Sequence, residues 1–288
     1  MSTATVDPIA ATHANFQELY IEAEDGVELR VFHWEPKEPA SDDPFVFVAG
    51  WVSIVAGWAD FLRAMSKKRP VFYVETREKT SALIRQRRLR STDFDMHRLA
   101  RDLMNICARL PVETARTVIA GSSFGATAIL EALKHGALKV RGAFLIGPNS
   151  EFKAPPVLGK VVYLPAFLYH GFKYILLWYL RTFRVDVKKE PEQMARYDQT
   201  LRTANPRRLQ LSAISALKYS VWKDLETIEV PVGMAYASSD KLHGVANIER
   251  MVEAIPQASE FSCESNIYMH SAGLMNDVEA FIDSLSGD

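Results

Sequence analysis

The first clear pattern in the chain is an alternation of apolar and polar residues over positions 18–34. Its apolar members, which share one face of an extended chain, are Leu19, Ile21, Val27, Leu29 and Val31. Asp25-Gly26 separates two alternating runs, and this dipeptide in that position is a strong signal for a β-hairpin. The sequence therefore predicts an antiparallel pair of strands, preceded by a loose lead-in over residues 1–16 that lacks the pattern of a secretory signal.

After the hairpin, short continuous apolar runs alternate with stretches of helical period. The apolar runs, typical of strands buried on both faces, lie at 45–49, 71–74, 117–120, 142–146 and 232–237. The helical patterns lie at 58–67, 93–110 with Asp93 as N-cap, 124–134, 245–254 and 275–285. This alternation indicates βαβ units, so the predicted fold class is α/β, with a mostly parallel central sheet and helices on both faces.

Residues 151–226 interrupt the alternation with helical and aromatic stretches and no clear buried strand. The simplest division is a core formed by residues 1–150 and 227–288, with residues 151–226 inserted as a helical cap. Within the insert, residues 161–180 are nearly all apolar, but Lys173 at the centre makes a membrane-spanning helix the less favoured interpretation.

Charge and cysteine content narrow the function classes. The 34 basic and 35 acidic residues leave a net charge of −1, which argues against a general nucleic-acid binder. The two cysteines are far apart and form no CxxC pair, so neither a disulfide framework nor a zinc site is indicated. A cytoplasmic protein is expected, with no metal or organic cofactor; the oligomeric state is left open.

The segment Gly121-Ser122-Ser123-Phe124-Gly125 fits the pattern G-x-S-x-G between a predicted strand and a predicted helix. A nucleophile on such a sharp turn needs neighbours almost free of side chains two positions before and after it. Gly121 and Gly125 meet this need for Ser123, whereas Ser122 lacks matching glycines. The alternative is a plain Gly/Ser turn, which the strand before and the helix after make less attractive.

From residue 18 to residue 285 the chain resembles the α/β-hydrolase superfamily, which orders its triad Ser, acid, His along the chain. The resemblance implies Ser123 as nucleophile, Asp240 after the strand at 232–237 as acid, and His270 before the last helix as base. His243 is a weaker alternative for the base, and Glu151 is one for the acid.

The resemblance also implies an oxyanion hole built from the backbone amides of Trp51 and Phe124. One departure is that Ala49 stands where the family commonly has a histidine. The expected activity is hydrolysis of a small-molecule ester or thioester with an apolar acyl part, through an acyl-enzyme. Alternatives are a C–C hydrolase or cofactor-free perhydrolase of the same fold, and a non-catalytic lipid- or ligand-binding module.

Two basic segments offer further contacts. The insert carries 13 basic and 7 acidic residues. For its aromatic residues there are three alternatives: they line an acyl tunnel, they contact an anionic membrane peripherally, or they pack on the core. These residues are Tyr163, Phe167, Phe172 and Trp178. Residues 76–90 hold six basic residues against Glu78. This loop is interpreted as a solvated arginine-rich loop, with phosphate or carboxylate binding as the alternative.

Overall fold

The central feature of the fold is a sheet of eight strands in the order β1-β2-β4-β3-β5-β6-β7-β8. The structure is a computed structural model, and the residues that it describes are 6–51, 53–85, 88–152, 162–163, 174, 177–178, 181–182, 198, 204–237 and 244–285. β1 pairs antiparallel with β2, and β2 pairs antiparallel with β4. Every other neighbouring pair is parallel, which confirms the predicted fold class.

The strands are β1 Ala14–Glu22, β2 Glu28–Pro36, β3 Phe45–Val48, β4 Val71–Val74, β5 Val118–Ser122, β6 Gly142–Ile146, β7 Val232–Ala237 and β8 Ala258–Cys263. The α-helices of the described residues, numbered here in chain order, are α1 Ala59–Met65, α2 Met96–Arg109, α3 Phe124–Leu133, α4 Pro206–Ala216, α5 Val245–Ala254 and α6 Leu274–Ser284. Short 3₁₀ turns, including Val55–Trp58 and Tyr268–His270, connect several of them.

Two apolar cores lie on the two faces of the sheet, because successive side chains of a strand point to opposite sides. In β3, Val46 and Val48 join the core shared with α2, α3 and α5. Phe45 and Phe47 join the other core, shared with α1 and α6. All four residues of β3 are fully buried, which explains the continuous apolar runs in the sequence.

The predicted hairpin is present, with Leu19 opposite Val31 and Ile21 opposite Leu29.

The expectation of a loose lead-in is wrong for the residues just before the hairpin. The Asp7 carboxylate accepts hydrogen bonds from the amides of Ile9 and Ala11 and from Trp34 Nε1, at 2.6–3.0 Å. Ile9 and Ala11 are buried in the core, so this segment is held by a local turn and by packing.

The predicted N-cap of α2 is wrong by two residues. Asp95 caps α2, since its side chain accepts from the Arg98 amide at 2.7 Å. Asp93 lies in the preceding 3₁₀ turn and accepts from the Arg90 amide at 2.7 Å. Two aspartates two residues apart offered two candidate caps, and Asp93 instead belongs to the 3₁₀ turn Ser91–Phe94 that precedes the helix.

Most of the insert falls outside the described residues, so its boundaries at 151 and 226 stay predictions. Its last described part is helical, as expected: α4 begins after Asn205, whose side chain caps the amides of Arg207 and Arg208. Leu209 and Leu211 are buried. Within the part of the chain that the structure describes, no helix is both long and apolar enough to cross a membrane.

Candidate active site

Ser123 lies in a strained turn between β5 and α3. Its φ of 48° and ψ of −111° belong to a region that residues with a side chain rarely adopt. The Ser123 amide donates to the Ile146 carbonyl of β6 at 2.8 Å, and the Ser123 carbonyl accepts from the Thr127 amide at 2.9 Å. The residue is partly exposed while its neighbours on both sides are buried, so the turn presents this one side chain.

The two glycines of the motif are needed for close approach, as the sequence predicts. A Cβ on Gly125 would lie 2.5 Å from the carbonyl oxygens of both Val48 and Ala49, at the end of β3. A Cβ on Gly121 would lie 2.7 Å from Ile129 Cδ1. The backbone at Gly125 therefore fits directly against the end of β3, with no room for a side chain, whereas a side chain at Gly121 would have to displace the end of Ile129.

The loop after β3 contacts the same turn. A Cβ on Gly50 would lie 3.0 Å from Ser122 Oγ and 3.7 Å from Ser123 Cβ. The Gly50 carbonyl accepts from the Ser53 amide at 3.0 Å, which closes a tight turn around Trp51. No described residue accepts a hydrogen bond from the Trp51 amide. The predicted oxyanion loop thus lies beside the predicted nucleophile, with this N–H available.

Two further features of this loop bear on its shape. Ala49 is fully buried in the core between the sheet and α1, so a larger side chain would have to displace core neighbours. Trp51 Nε1 donates to Ser212 Oγ of α4 at 2.9 Å. The loop is therefore tied to the last helix of the insert.

The Phe124 amide is the other predicted oxyanion donor. Phe124 is the first residue of α3, and the first amides of a helix have no partner inside the helix. No described residue outside α3 accepts from this amide. The positive end of the helix dipole also lies here and favours negative charge.

His270 ends the 3₁₀ turn after β8. Its ring packs on Trp58, with ring centroids 4.1 Å apart. Trp58 in turn donates from Nε1 to Ser53 Oγ at 3.1 Å, so His270 borders the turn at residues 50–53 that also abuts Ser123. Asp240 and the alternative base His243 lie outside the described residues, and their roles stay predictions.

Asn149 is a residue of the site that the sequence did not single out. It follows β6, and its Nδ2 donates to Ser123 Oγ at 2.9 Å. Its own amide donates to Thr127 Oγ1 at 2.9 Å, which fixes it against α3. The only sequence signal was its place after a buried strand next to β5. Glu151, the alternative acid, is half-buried and forms an isolated bridge with Ser220.

The interpretation of residues 76–90 as a solvated loop or an anion site is wrong for their first part. Arg77 is 1% exposed and donates to both carboxylate oxygens of Asp102, at 2.5 and 2.6 Å, and to Asp25 at 3.1 and 3.2 Å. Burial by itself would lower the pKa of Arg77, but the hydrogen bonds to Asp102 and Asp25 have the larger effect and raise this pKa. Arg77 therefore joins β4, α2 and the hairpin. Arg85 is exposed and pairs with Glu28.

Lys79, in the same segment, is directed at the oxyanion loop. Its side chain is 8% exposed, and Nζ donates to the Gly50 carbonyl at 2.5 Å. Nζ also lies 3.3 Å from Glu78 Oε1. Burial lowers the pKa of Lys79, while Glu78 and Glu75 oppose that shift.

Only two of the four aromatic residues predicted to contact the acyl group are among the described residues. Tyr163 and Trp178 are about 60% exposed; Phe167 and Phe172 lie outside the described residues. Tyr174 is also exposed, at 68%. Substrate contact by these aromatics stays a prediction. Among the described side chains, no three His, Cys, Asp or Glu converge as metal ligands would.

No protein-family model matches the chain, and no curated protein matches it. Solved structures do. The enol-lactonase from Burkholderia xenovorans LB400 aligns with a TM-score of 0.75 and 16% identity, over 92% of this chain and 100% of that one. An esterase from Thermogutta terrifontis aligns with a TM-score of 0.72 and 14% identity, over 93% and 99%. A bacterial membrane phospholipase A aligns with a TM-score of 0.71 and 13% identity, over 98% and 89%. The chain has the α/β-hydrolase fold.

Proposed function

We propose that this protein is a serine hydrolase that cleaves a carboxylic ester or thioester with an apolar acyl part. The observation that carries the proposal is the strained, partly exposed Ser123, whose Oγ is contacted by Asn149 and whose Cβ faces Gly50. Backbone strain of this kind costs about 1–3 kcal/mol and persists where the surroundings impose it, most often at active sites.

In the proposed reaction, Ser123 Oγ attacks the acyl carbonyl while His270 takes the hydroxyl proton. Asp240 orients the imidazole and stabilises its charged form. The tetrahedral oxyanion accepts hydrogen bonds from the Trp51 and Phe124 amides. His270 then passes the proton to the leaving group, which departs and leaves an acyl-serine. Water, deprotonated by His270, releases the acid and restores the serine.

Asn149 adds a function to this scheme. A serine hydroxyl has one hydrogen to donate and two lone pairs that accept. Because Asn149 Nδ2 donates to Oγ, it occupies a lone pair and leaves the hydroxyl hydrogen to point toward another acceptor. The base His270 is the acceptor that the mechanism requires.

The substrate class draws on the insert and on the structural relatives. A lactonase, an esterase and a phospholipase A are named for cleaving acyl–oxygen bonds, which supports an ester substrate here. The aromatic residues of the insert support an apolar acyl group.

Exposure of Tyr163, Tyr174 and Trp178 favours a peripheral contact with an anionic membrane. Co-sedimentation with phosphatidylserine vesicles at low salt would detect this contact.

The test is hydrolysis of p-nitrophenyl esters from acetate to palmitate by wild type, Ser123→Ala and the matched control Ser122→Ala. Ser122 is the neighbouring serine in β5 and lacks the strained turn. We expect turnover that rises with chain length, is lost in Ser123→Ala, and is largely kept in Ser122→Ala. Serine-independent turnover, or equal loss in both variants, would refute the proposal.

Labelling with a fluorophosphonate separates the alternatives. A wild type that is labelled at Ser123 but hydrolyses no ester would favour the C–C hydrolase or perhydrolase of the same fold. A wild type that is neither labelled nor active would favour a non-catalytic binding module.

A further inference from the structure

Lys79 is a buried cation beside the proposed oxyanion loop, and the mechanism above does not use it. It follows β4, which pairs with β3 in the sheet, so its loop and the loop at Gly50 leave the same edge. Nζ is 2.5 Å from the Gly50 oxygen and 3.3 Å from Glu78 Oε1. The ammonium is therefore directed at the peptide carbonyl more closely than at its carboxylate partner.

The Gly50 carbonyl and the Trp51 N–H belong to one peptide group, whose C–N bond has partial double-bond character. A donor on the carbonyl oxygen draws electron density from the nitrogen and makes the N–H a stronger donor, as in a hydrogen-bonded chain. The Ser53 amide is one such donor to this carbonyl at 3.0 Å, and Lys79 supplies a second that carries a full charge.

We propose that Lys79 is a positioning residue of the oxyanion hole: its ammonium holds and polarises the Gly50–Trp51 peptide, so that the Trp51 N–H stabilises the negative charge of the transition state. The inference rests on the proposed function and deepens it. Lys79 itself touches no substrate in this scheme.

The surroundings of Lys79 fix its backbone as well as its charge. Arg208 Nη1, from α4, donates to the carbonyls of Lys79 and Ala82 at 2.6 and 3.0 Å. Glu78 is itself held by the Thr76 hydroxyl at 2.7 Å. A buried lysine is costly for the fold unless its charge is paired. Lys79 divides its ammonium between the buried Glu78 carboxylate and the Gly50 carbonyl, so the charge serves both the ion pair and the oxyanion loop.

The decisive variant is Lys79→Met, which keeps an unbranched side chain one atom shorter than lysine and removes the charge. Its matched control is Lys134→Met, because Lys134 is also 8% exposed and pairs with a glutamate, Glu131, at 2.8 Å, but lies at the far end of α3. Both variants should lose some thermal stability. Only Lys79→Met should affect the chemistry.

Removing a whole oxyanion donor costs about 10²–10³ in kcat, so weakening one is expected to cost about tenfold. We expect Lys79→Met to lower kcat for a p-nitrophenyl ester about tenfold, with KM within about twofold of wild type. Affinity for a trifluoromethyl ketone, which forms a charged adduct with the serine, should fall by the same factor. Lys79→Arg, which keeps a donor and the charge, should recover most of the loss.

The pH profile gives an independent readout. Burial lowers the pKa of Lys79, and the charged groups Glu78 and Glu75 oppose the shift. The Arg208 guanidinium contacts the backbone carbonyl of Lys79. As pH rises through that pKa the ammonium becomes neutral, so kcat of wild type should fall on the alkaline side. Arginine stays charged, so this fall should move to higher pH in Lys79→Arg.

The outcomes separate the two proposals. A folded Lys79→Met protein with wild-type kcat and wild-type ketone affinity, measured where Ser123→Ala is silent, overturns the role of Lys79 and leaves the serine hydrolase intact. An equal loss of kcat in Lys134→Met also overturns it, because the effect would then be one of stability. Absence of serine-dependent turnover in wild type overturns the proposed function itself.

Discussion

The hydrogen bond from Asn149 to the nucleophile makes a quantitative prediction. A single N–H···O bond of 2.9 Å joins Asn149 Nδ2 to Ser123 Oγ. Negative charge builds on that oxygen as its proton leaves, and a hydrogen bond to a charged group is worth about 1.5–3 kcal/mol. At 1.4 kcal/mol per factor of ten, Asn149→Ala should slow acylation of the serine by about 10- to 100-fold.

The assay is the second-order rate of inactivation by a fluorophosphonate, with kcat/KM for p-nitrophenyl butyrate measured alongside. Inactivation reports on the serine directly and needs no knowledge of the natural substrate. Asn105→Ala is the matched control, because Asn105 is also half-buried and its Nδ2 also donates one hydrogen bond, at 3.0 Å, to the Arg101 carbonyl within α2. That variant should react at the wild-type rate.

A second substitution at the same position tests the direction of the bond. Asn149→Asp replaces the donor by a carboxylate that only accepts, so it competes with His270 for the serine proton. We expect a larger loss than in Asn149→Ala at pH 8, where the new carboxylate is charged. If Asn149→Ala melts like wild type and reacts as fast, the hydrogen bond has no part in activating Ser123 and the reasoning is wrong.

Two further predictions concern the framework of the site. Arg77→Leu leaves the buried Asp102 carboxylate unpaired and should lower the free energy of unfolding by about 3–5 kcal/mol, which for this chain length lowers Tm by roughly 5–8 °C. In thermal melts the double variant Arg77→Leu/Asp102→Leu should regain much of the lost Tm. If the two substitutions lower Tm additively, the pairing is contradicted. Gly125→Ala places a Cβ 2.5 Å from two backbone oxygens of residues 48 and 49. The rate of fluorophosphonate labelling should therefore fall more than tenfold, and the free energy of unfolding by about 1–3 kcal/mol. Labelling at the wild-type rate would show that the turn tolerates a side chain.

The fold was predictable because its strands are buried on both faces and carry uninterrupted apolar runs. Residues 71–74 and 142–146 are strands in the structure as the pattern predicts, and the strand at 45–48 ends one residue before the predicted run at 45–49. The edge strand β8 is different: its residues before the buried Cys263 are exposed or half-buried, so it has no apolar run and the pattern does not predict its bounds. Burial on both faces, rather than strand propensity, is what the pattern detects.

The candidate site was predictable from the sequence only where its residues lie close together along the chain. Ser123 carries its glycines within two residues, so the turn could be located from the sequence alone. The contacts of Asn149 and Lys79 join loops that are 26 and 29 residues apart, and no spacing rule connects them. The charged residues at 76–90 misled for the same reason, since the partners of Arg77 lie on α2 and on the hairpin.

Strain and buried charge coincide at one edge of the sheet, and this coincidence is the best argument that the edge is functional. Among the described residues four without glycine's freedom have positive φ: Ala10, Ser123, His135 and Asp224. His135 and Asp224 contact each other at 3.2 Å, beyond the end of α3 and about 15 Å from its start. Only at Ser123 do the ends of three central strands, β3, β5 and β6, hold the strained residue in place. Natural proteins break local rules chiefly where function requires it, and here a strained serine and a buried lysine adjoin the same glycine.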